Sequence, residues 1–126
     1  MNPNECQIII VDDEPDLAEI LAESLELEDF KVLCFLSAEE ALKALKGHND
    51  FHVVISDAHM PGMNGLEFLD ILKKDFQHDF LFYLCTGDLE VSESDLKERG
   101  GSGLVSKPYN LFDLVDTLKE AVADVG

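Results

Sequence analysis

The chain is 126 residues long and 46% apolar, and it carries a formal charge of −18 from 27 acidic against 9 basic side chains. That length suits one domain, residues 1–126, with one core; the charge, with Arg99 the only arginine, excludes a surface that itself grips a nucleic-acid phosphate backbone. No apolar run reaches the length of a membrane span and Met1 to Glu5 lack a leader pattern, so a cytoplasmic protein without membrane association is expected.

The first predicted strand, about residues 7–11, is nearly all apolar, as expected of a strand covered on both faces, and it runs into Asp12-Asp13. Pro15 then opens a helix over about residues 15–28, whose apolar stripe is Leu17, Ile20, Leu21 and Leu25. A second strand spans residues 31–35. Ser37 with Glu40 three residues on reads as a capping box for a helix burying Ala38, Ala41, Leu42 and Leu45, which Gly47 ends. A loop, His48 to Asp50, leads on.

Val53 to Ser56 form a short β-branched run that ends in Asp57, and the Pro61-Gly62 punctuation beyond it forces a loop. A third helix starts near Asn64-Gly65 and carries Leu66, Leu69, Leu72 and Phe76 at helical spacing. A strand over residues 80–85 runs into Thr86-Gly87, and a weak helix follows from about Val91 to Arg99. After the Gly100-Gly101-Ser102-Gly103 turn, a very short strand runs into Lys107-Pro108. Asn110 caps a last helix on Leu111, Leu114, Val115, Leu118 and Val122, with Asp113 near its positive end.

Five strands alternating with five helices predict a doubly wound α/β sheet, its parallel strands joined by right-handed crossovers with helices on both faces. Ligands bind such sheets at the carboxyl ends of the strands, where Asp12, Asp13, Asp57, Thr86 and Lys107 would converge. Alone, Asp12-Asp13 suits the first turn of a helix and Asp57 suits a turn; four such signals after four of five strands carry the argument. Cys6, Cys34 and Cys85 sit in strand-like runs without Cys-x-x-Cys spacing and are expected to be inert core thiols. His48, His59 and His78 fall in loop-like segments without metal-ligand spacing, and His52 reads as a packed or surface imidazole.

Three carboxylates brought together repel unless a cation lies between them, and an all-oxygen set beside water suits Mg²⁺. A carboxylate can attack a phosphoryl group when the developing charge is neutralised; Lys107 supplies charge, Thr86 and the backbone amides near Ala58 and Gly87 supply hydrogen bonds, and Asp57 is the nucleophile.

These residues resemble the receiver domain of two-component response regulators over essentially the whole chain: Asp12-Asp13, Asp57 followed by Met60-Pro61 and Gly65, Thr86-Gly87, and Lys107-Pro108. The resemblance implies a flavodoxin-like (βα)5 sheet of order 2-1-3-4-5. It implies Asp57 as phosphoacceptor, Asp12 and Asp13 at the Mg²⁺, and the backbone carbonyl of His59 as a further ligand. Lys107 would pair with the phosphoryl group and precede a cis peptide at Pro108. In such domains a threonine, here Thr86, and an aromatic residue three positions before the lysine move together on phosphorylation; that second position is Leu104. His59 and Asp88 occupy the two positions that tune the lifetime of the phosphoryl group.

The implied function is a phosphorylation-controlled module that accepts its phosphoryl group from a histidine kinase or phosphotransfer protein. It would switch a downstream protein target through the fourth helix, fifth strand and fifth helix, catalysing only its own phosphorylation and dephosphorylation. The alternative is a receiver-like interaction scaffold that works without phosphorylation, which only Leu104 favours. A phosphatase of the haloacid dehalogenase type wants an aspartate where His59 stands, and a nucleotide site wants glycines where Asp12-Asp13-Glu14 would repel phosphate. The acidic face of Glu90, Glu93, Glu98, Asp113, Asp116 and Glu120 has few positive partners, so a monomer is expected without phosphorylation.

Overall fold

Along the first strand, Ile8 and Ile10 point to one side of the sheet and Ile9 and Val11 to the other, and all four are buried. A strand of that composition needs a covering layer on each face. The computed structural model describes residues 1–47, 50–87 and 91–125; His48, Asp88, Glu90 and Gly126 lie outside the described residues.

A 3-10 turn at Pro3–Glu5 precedes β1 (Gln7–Val11), α1 (Pro15–Glu26), β2 (Lys31–Phe35), α2 (Ala38–Leu45) and β3 (Val53–Asp57). Then come α3 (Gly65–Asp75), β4 (Leu81–Thr86), α4 (Glu93–Glu98), β5 (Gly103–Ser106) and α5 (Leu111–Ala123). The five strands form one sheet in the order β2-β1-β3-β4-β5, and every pair is parallel. This is the flavodoxin-like order that the resemblance implied.

Two cores result. On one face Ile8, Ile10, Val53, Ile55 and Tyr83 pack under Leu21 and Leu25 of α1 and Leu114 and Leu118 of α5. On the other Ile9, Val11, Val54, Phe82 and Leu84 pack under Ala41 and Leu45 of α2, Phe68, Leu69 and Leu72 of α3, and Leu96 of α4. Leu96 is the single buried residue of α4, which explains how faint that helix is in the sequence. Arg99, just past α4, adds an ion pair at 2.9 Å to Asp70 of α3.

Several expectations need correction. β2 is an edge strand, so Leu33 and Cys34 are exposed, and Cys34 is not a core thiol, whereas Cys6 and Cys85 are buried. α1 stops at Glu26 because the chain turns through Asp29 at φ 73°, and Ile20 is 52% exposed while Ala18 and Ala22 fill the buried stripe beside Leu21 and Leu25. Only half of the expected capping box forms at α2: Ser37 Oγ accepts from the Glu40 N–H, but the Glu40 carboxylate accepts from the Leu36 N–H. A full box forms instead at α3, where Asn64 and Glu67 accept from each other's N–H groups at 2.9 and 3.1 Å. Phe76 is the residue after α3 and half-buried; its ring meets Phe51 edge-on, and Phe51 in turn packs against Phe80. α4 is confined to Glu93–Glu98 behind a Ser92 cap.

Candidate functional site

Asp12 follows β1 directly, its N–H bonded to the Phe35 carbonyl at the end of β2, and its Oδ1 accepts from the Glu14 N–H at 2.9 Å. Its carboxylate is thereby fixed ahead of α1, while Asp13 beside it stays exposed. Asp57 ends β3 in register with Cys85 of β4. The Ala58 N–H continues that ladder to the Cys85 carbonyl, so of the backbone amides expected near Ala58 its own is spent on the sheet.

The loop after Asp57 is closed by the Gly65 N–H donating to the Ala58 carbonyl at 2.9 Å. A Cβ at Gly65 would fall on the Asp57 carbonyl and on a Leu84 methyl, so the close approach of α3 to the site demands glycine. The tip of the same loop is tied to α2, where Glu39 Oε2 accepts from the Met63 N–H at 3.2 Å. His59 lies exposed in this loop, and the buried Met60 anchors it.

Thr86 ends β4 opposite Ser106 and is buried. The Lys107 N–H donates to the Thr86 carbonyl at 3.0 Å, and the Lys107-Pro108 bond is cis as the resemblance implied. Lys107 Nζ reaches Asp57 Oδ2 at 3.2 Å and Asp12 Oδ2 at 3.5 Å. Leu104 sits in mid-strand, half-buried against the α2, α3 and α4 core.

Carboxylate oxygens of Asp12, Asp13 and Asp57 lie within 4.8 Å of one another. Burial raises the Asp57 carboxyl above the usual carboxylate range, with Lys107 pulling it down and Asp12 and Asp13 pushing it up. Burial works against the Lys107 ammonium, but Asp12 and Asp57 outweigh it and hold its proton more tightly than usual. Beneath them, burial pushes the Cys85 thiol up to about 12, so it is inert. An all-oxygen set with excess negative charge, open on the Asp13 side, fits a hard divalent cation that keeps part of its water.

Of the five side chains expected to converge, Asp12, Asp13, Asp57 and Lys107 meet here, and Thr86 stands buried at the end of the neighbouring strand; the parts that hold the loop were not among the expectations. Glu39 has no local signal, since its partner lies 24 residues away. The Asn64-x-x-Glu67 box was visible in the sequence and marks the start of α3.

A doubly wound parallel sheet with three carboxylates and a lysine at the carboxyl edge of β1, β3 and β5 defines an oxygen-ligand site in an open α/β protein. The chain belongs to the response regulator receiver domain family, whose model it matches over residues 8–119. It is 34% identical over 116 residues to the C4-dicarboxylate transport transcriptional regulatory protein DctD of Rhizobium meliloti, covering 90% of this chain and 25% of that protein. It is 30% identical over 113 residues to the transcriptional regulatory protein CpxR of Escherichia coli, covering 90% of this chain and 47% of that protein.

The chain thus spans from a quarter to about half of the length of these relatives. Among solved structures, the chemotaxis response regulator CheY4 of Vibrio cholerae superposes with a TM-score of 0.80 at 27% identity, covering 91% of this chain and 97% of that one. The receiver domain of NtrX from Brucella abortus does so with 0.80 at 25% identity, covering 94% and 99%. The chain is therefore a receiver domain of two-component signalling, and receiver domains bind Mg²⁺ in an acidic pocket of this kind. Among the described residues no helix is long and apolar enough to cross a membrane.

Proposed function

We propose that Asp57 accepts a phosphoryl group from a phosphohistidine on a histidine kinase or phosphotransfer protein, and that this controls the binding of a downstream protein. The observation that carries the reading is the Asp57 carboxylate, 8% exposed, bridged by Lys107 and beside the Asp12 and Asp13 carboxylates. An Asp57 oxygen forms the O–P bond as the N–P bond of the phosphoimidazole breaks, and the leaving imidazole takes its proton from solvent.

Lys107 is already poised at 3.2 Å and neutralises charge on the transferred group. Thr86 lies at the end of the neighbouring strand and contributes a hydroxyl. Asp12, Asp13, Asp57 and the His59 carbonyl would hold Mg²⁺, which when bound supplies positive charge to the phosphoryl oxygens. The phosphoryl group is later lost to water, which breaks the acyl phosphate into inorganic phosphate and the free Asp57 carboxylate, so in this reading the chain catalyses only its own phosphorylation and dephosphorylation. The domain works as a monomer when unphosphorylated.

Leu104 favours one second reading, an interaction scaffold that operates without phosphorylation, because it cannot exchange a hydroxyl between solvent and core. Intact mass after exposure to acetyl phosphate separates the two. The acceptor reading predicts a Mg²⁺-dependent gain of one phosphoryl mass that is absent from Asp57→Asn. No gain with acetyl phosphate or with a phosphohistidine donor leaves the scaffold.

A further inference from the structure

Two cavities share the Pro108-Tyr109 segment as a wall. The first, of about 340 Å³, lies beside the phosphoacceptor pocket between the start of α1 and the β5 end, lined by Glu14, Leu17, Lys107, Pro108 and Tyr109. The second, of about 410 Å³, is the groove between α4 and α5, whose wall includes Tyr83, Leu104, Val105, Asp113 and again Tyr109. Tyr109 and Pro108 are the two residues these cavities share.

We infer that Tyr109 is the positioning residue that carries the state of the Asp57 pocket to the groove between α4 and α5, in place of an aromatic side chain at position 104. The inference rests on the phosphoacceptor reading and adds how the site is read out.

Three features support it. Leu104 is half-buried against the α2, α3 and α4 core, and it has no polar group whose burial could report a change. Tyr109 is half-buried on the other face, against the α1 and α5 core, and it lines both cavities. A close-packed ring could not change rotamer without opening a void, whereas this residue borders two open spaces.

It is also coupled to the lysine by the chain itself. Lys107 lies two residues before Tyr109 with only Pro108 between, and the proline ring fixes one φ, so a backbone shift at Lys107 passes to Tyr109 through fewer free dihedrals than an ordinary tripeptide has. The phenol also lies in the field of the pocket, where burial holds its proton and the negative charges of Asp12, Asp57 and Glu14 hold it further, so its fluorescence reports loading while the ring, which Tyr109→Phe keeps, carries the coupling.

The test uses the ¹⁵N-labelled full chain loaded with beryllofluoride and Mg²⁺, a phosphoryl mimic. Loading is read at the Gly87 amide, and readout at the amides of Val105, Asp113 and Thr117. Wild type, Tyr109→Phe and Leu104→Ala are expected to respond at both places. Tyr109→Leu is expected to keep the Gly87 response and lose groove response by roughly threefold or more, the scale of a removed coupling residue.

Tyr83 and Tyr109 are the only tyrosines and there is no tryptophan. In Tyr83→Phe the remaining phenol fluorescence is therefore expected to change on loading, which tests the inference even if Tyr109→Leu fails to fold. Groove shifts in Tyr109→Leu equal to wild type, or unchanged phenol fluorescence in Tyr83→Phe, overturn the inference while the acceptor reading stands. Absence of any Gly87 response in wild type overturns both.

Discussion

Replacing Asp57 by asparagine is expected to stabilise the metal-free fold, although it removes an ion pair. At an effective dielectric of about 20, two unit charges within 4.8 Å repel by roughly 3.5 kcal/mol or more, and opposite charges 3.2 Å apart attract by roughly 5 kcal/mol. The Lys107 contact at 3.2 Å therefore offsets the repulsion from Asp12, and Lys107 keeps its second partner, Asp12 at 3.5 Å, in the variant. What is left uncompensated is the burial of the Asp57 charge and a solvent-screened repulsion from Asp13.

A gain of about 1–2 kcal/mol follows, which is about 3–8 °C in Tm for a domain of this size. The sign with pH is fixed by the raised carboxyl. The folded state holds its proton to higher pH than the unfolded one, so the wild type loses stability as pH rises through the folded value. The asparagine chain has no such loss, and the gap between the two melting curves opens from acid toward neutral pH. Circular dichroism melts of both chains with chelator, between about pH 4 and pH 7, measure it. A variant that melts below wild type at neutral pH, or a gap that does not vary with pH, refutes the electrostatic account.

Lys107→Ala leaves Asp12 and Asp57 without their cation and is expected to destabilise the chain by about 2 kcal/mol, less than a fully buried pair because Lys107 is partly exposed; added Mg²⁺ should restore part of the loss in urea titrations. Gly65→Ala drives a methyl into the Asp57 carbonyl and Leu84, and should cost about 2–3 kcal/mol in chemical denaturation while weakening Mg²⁺ binding. Glu39→Ala frees the Met63 N–H at the loop tip; about 0.5–1.5 kcal/mol of stability should be lost, and calorimetry should show weaker Mg²⁺ binding than in Glu39→Gln, which keeps an acceptor. A disulfide reagent should modify one thiol of the native chain, Cys34, and three once it is unfolded, since Cys6 and Cys85 are buried.

The sheet and its acidic carboxyl edge were legible because each rests on local signals. Four of the strands are apolar runs that feed one edge of the sheet, and Asp12, Asp57, Thr86 and Lys107 each directly follow or end such a run. Ser37, Asn64 and Asn110 all cap helices through side chains that accept from the third residue on.

Other features depend on position in the finished sheet. The runs around Cys34 and Cys85 read alike, but one became an edge strand and the other an inner one. Ile20 fits the helical period of α1, but small residues at Ala18 and Ala22 let the helix sit close to the sheet on a neighbouring stripe. The Ala58 amide is adjacent to the acceptor in sequence, and only the register of β3 with β4 assigns it to the ladder. Tyr109 drew no notice because its place between two cavities is a property of the folded β5 to α5 connection.

The central claim is that Asp57 forms an acyl phosphate. Reduction of the acetyl-phosphate-treated chain with borohydride, followed by peptide mass spectrometry, tests it at the atom concerned, because the reagent converts an aspartyl phosphate to homoserine and leaves a free carboxylate alone. The account predicts homoserine at position 57, formed only when Mg²⁺ was present during phosphorylation. Homoserine at Asp12 or Asp13 instead, or at no position, contradicts it.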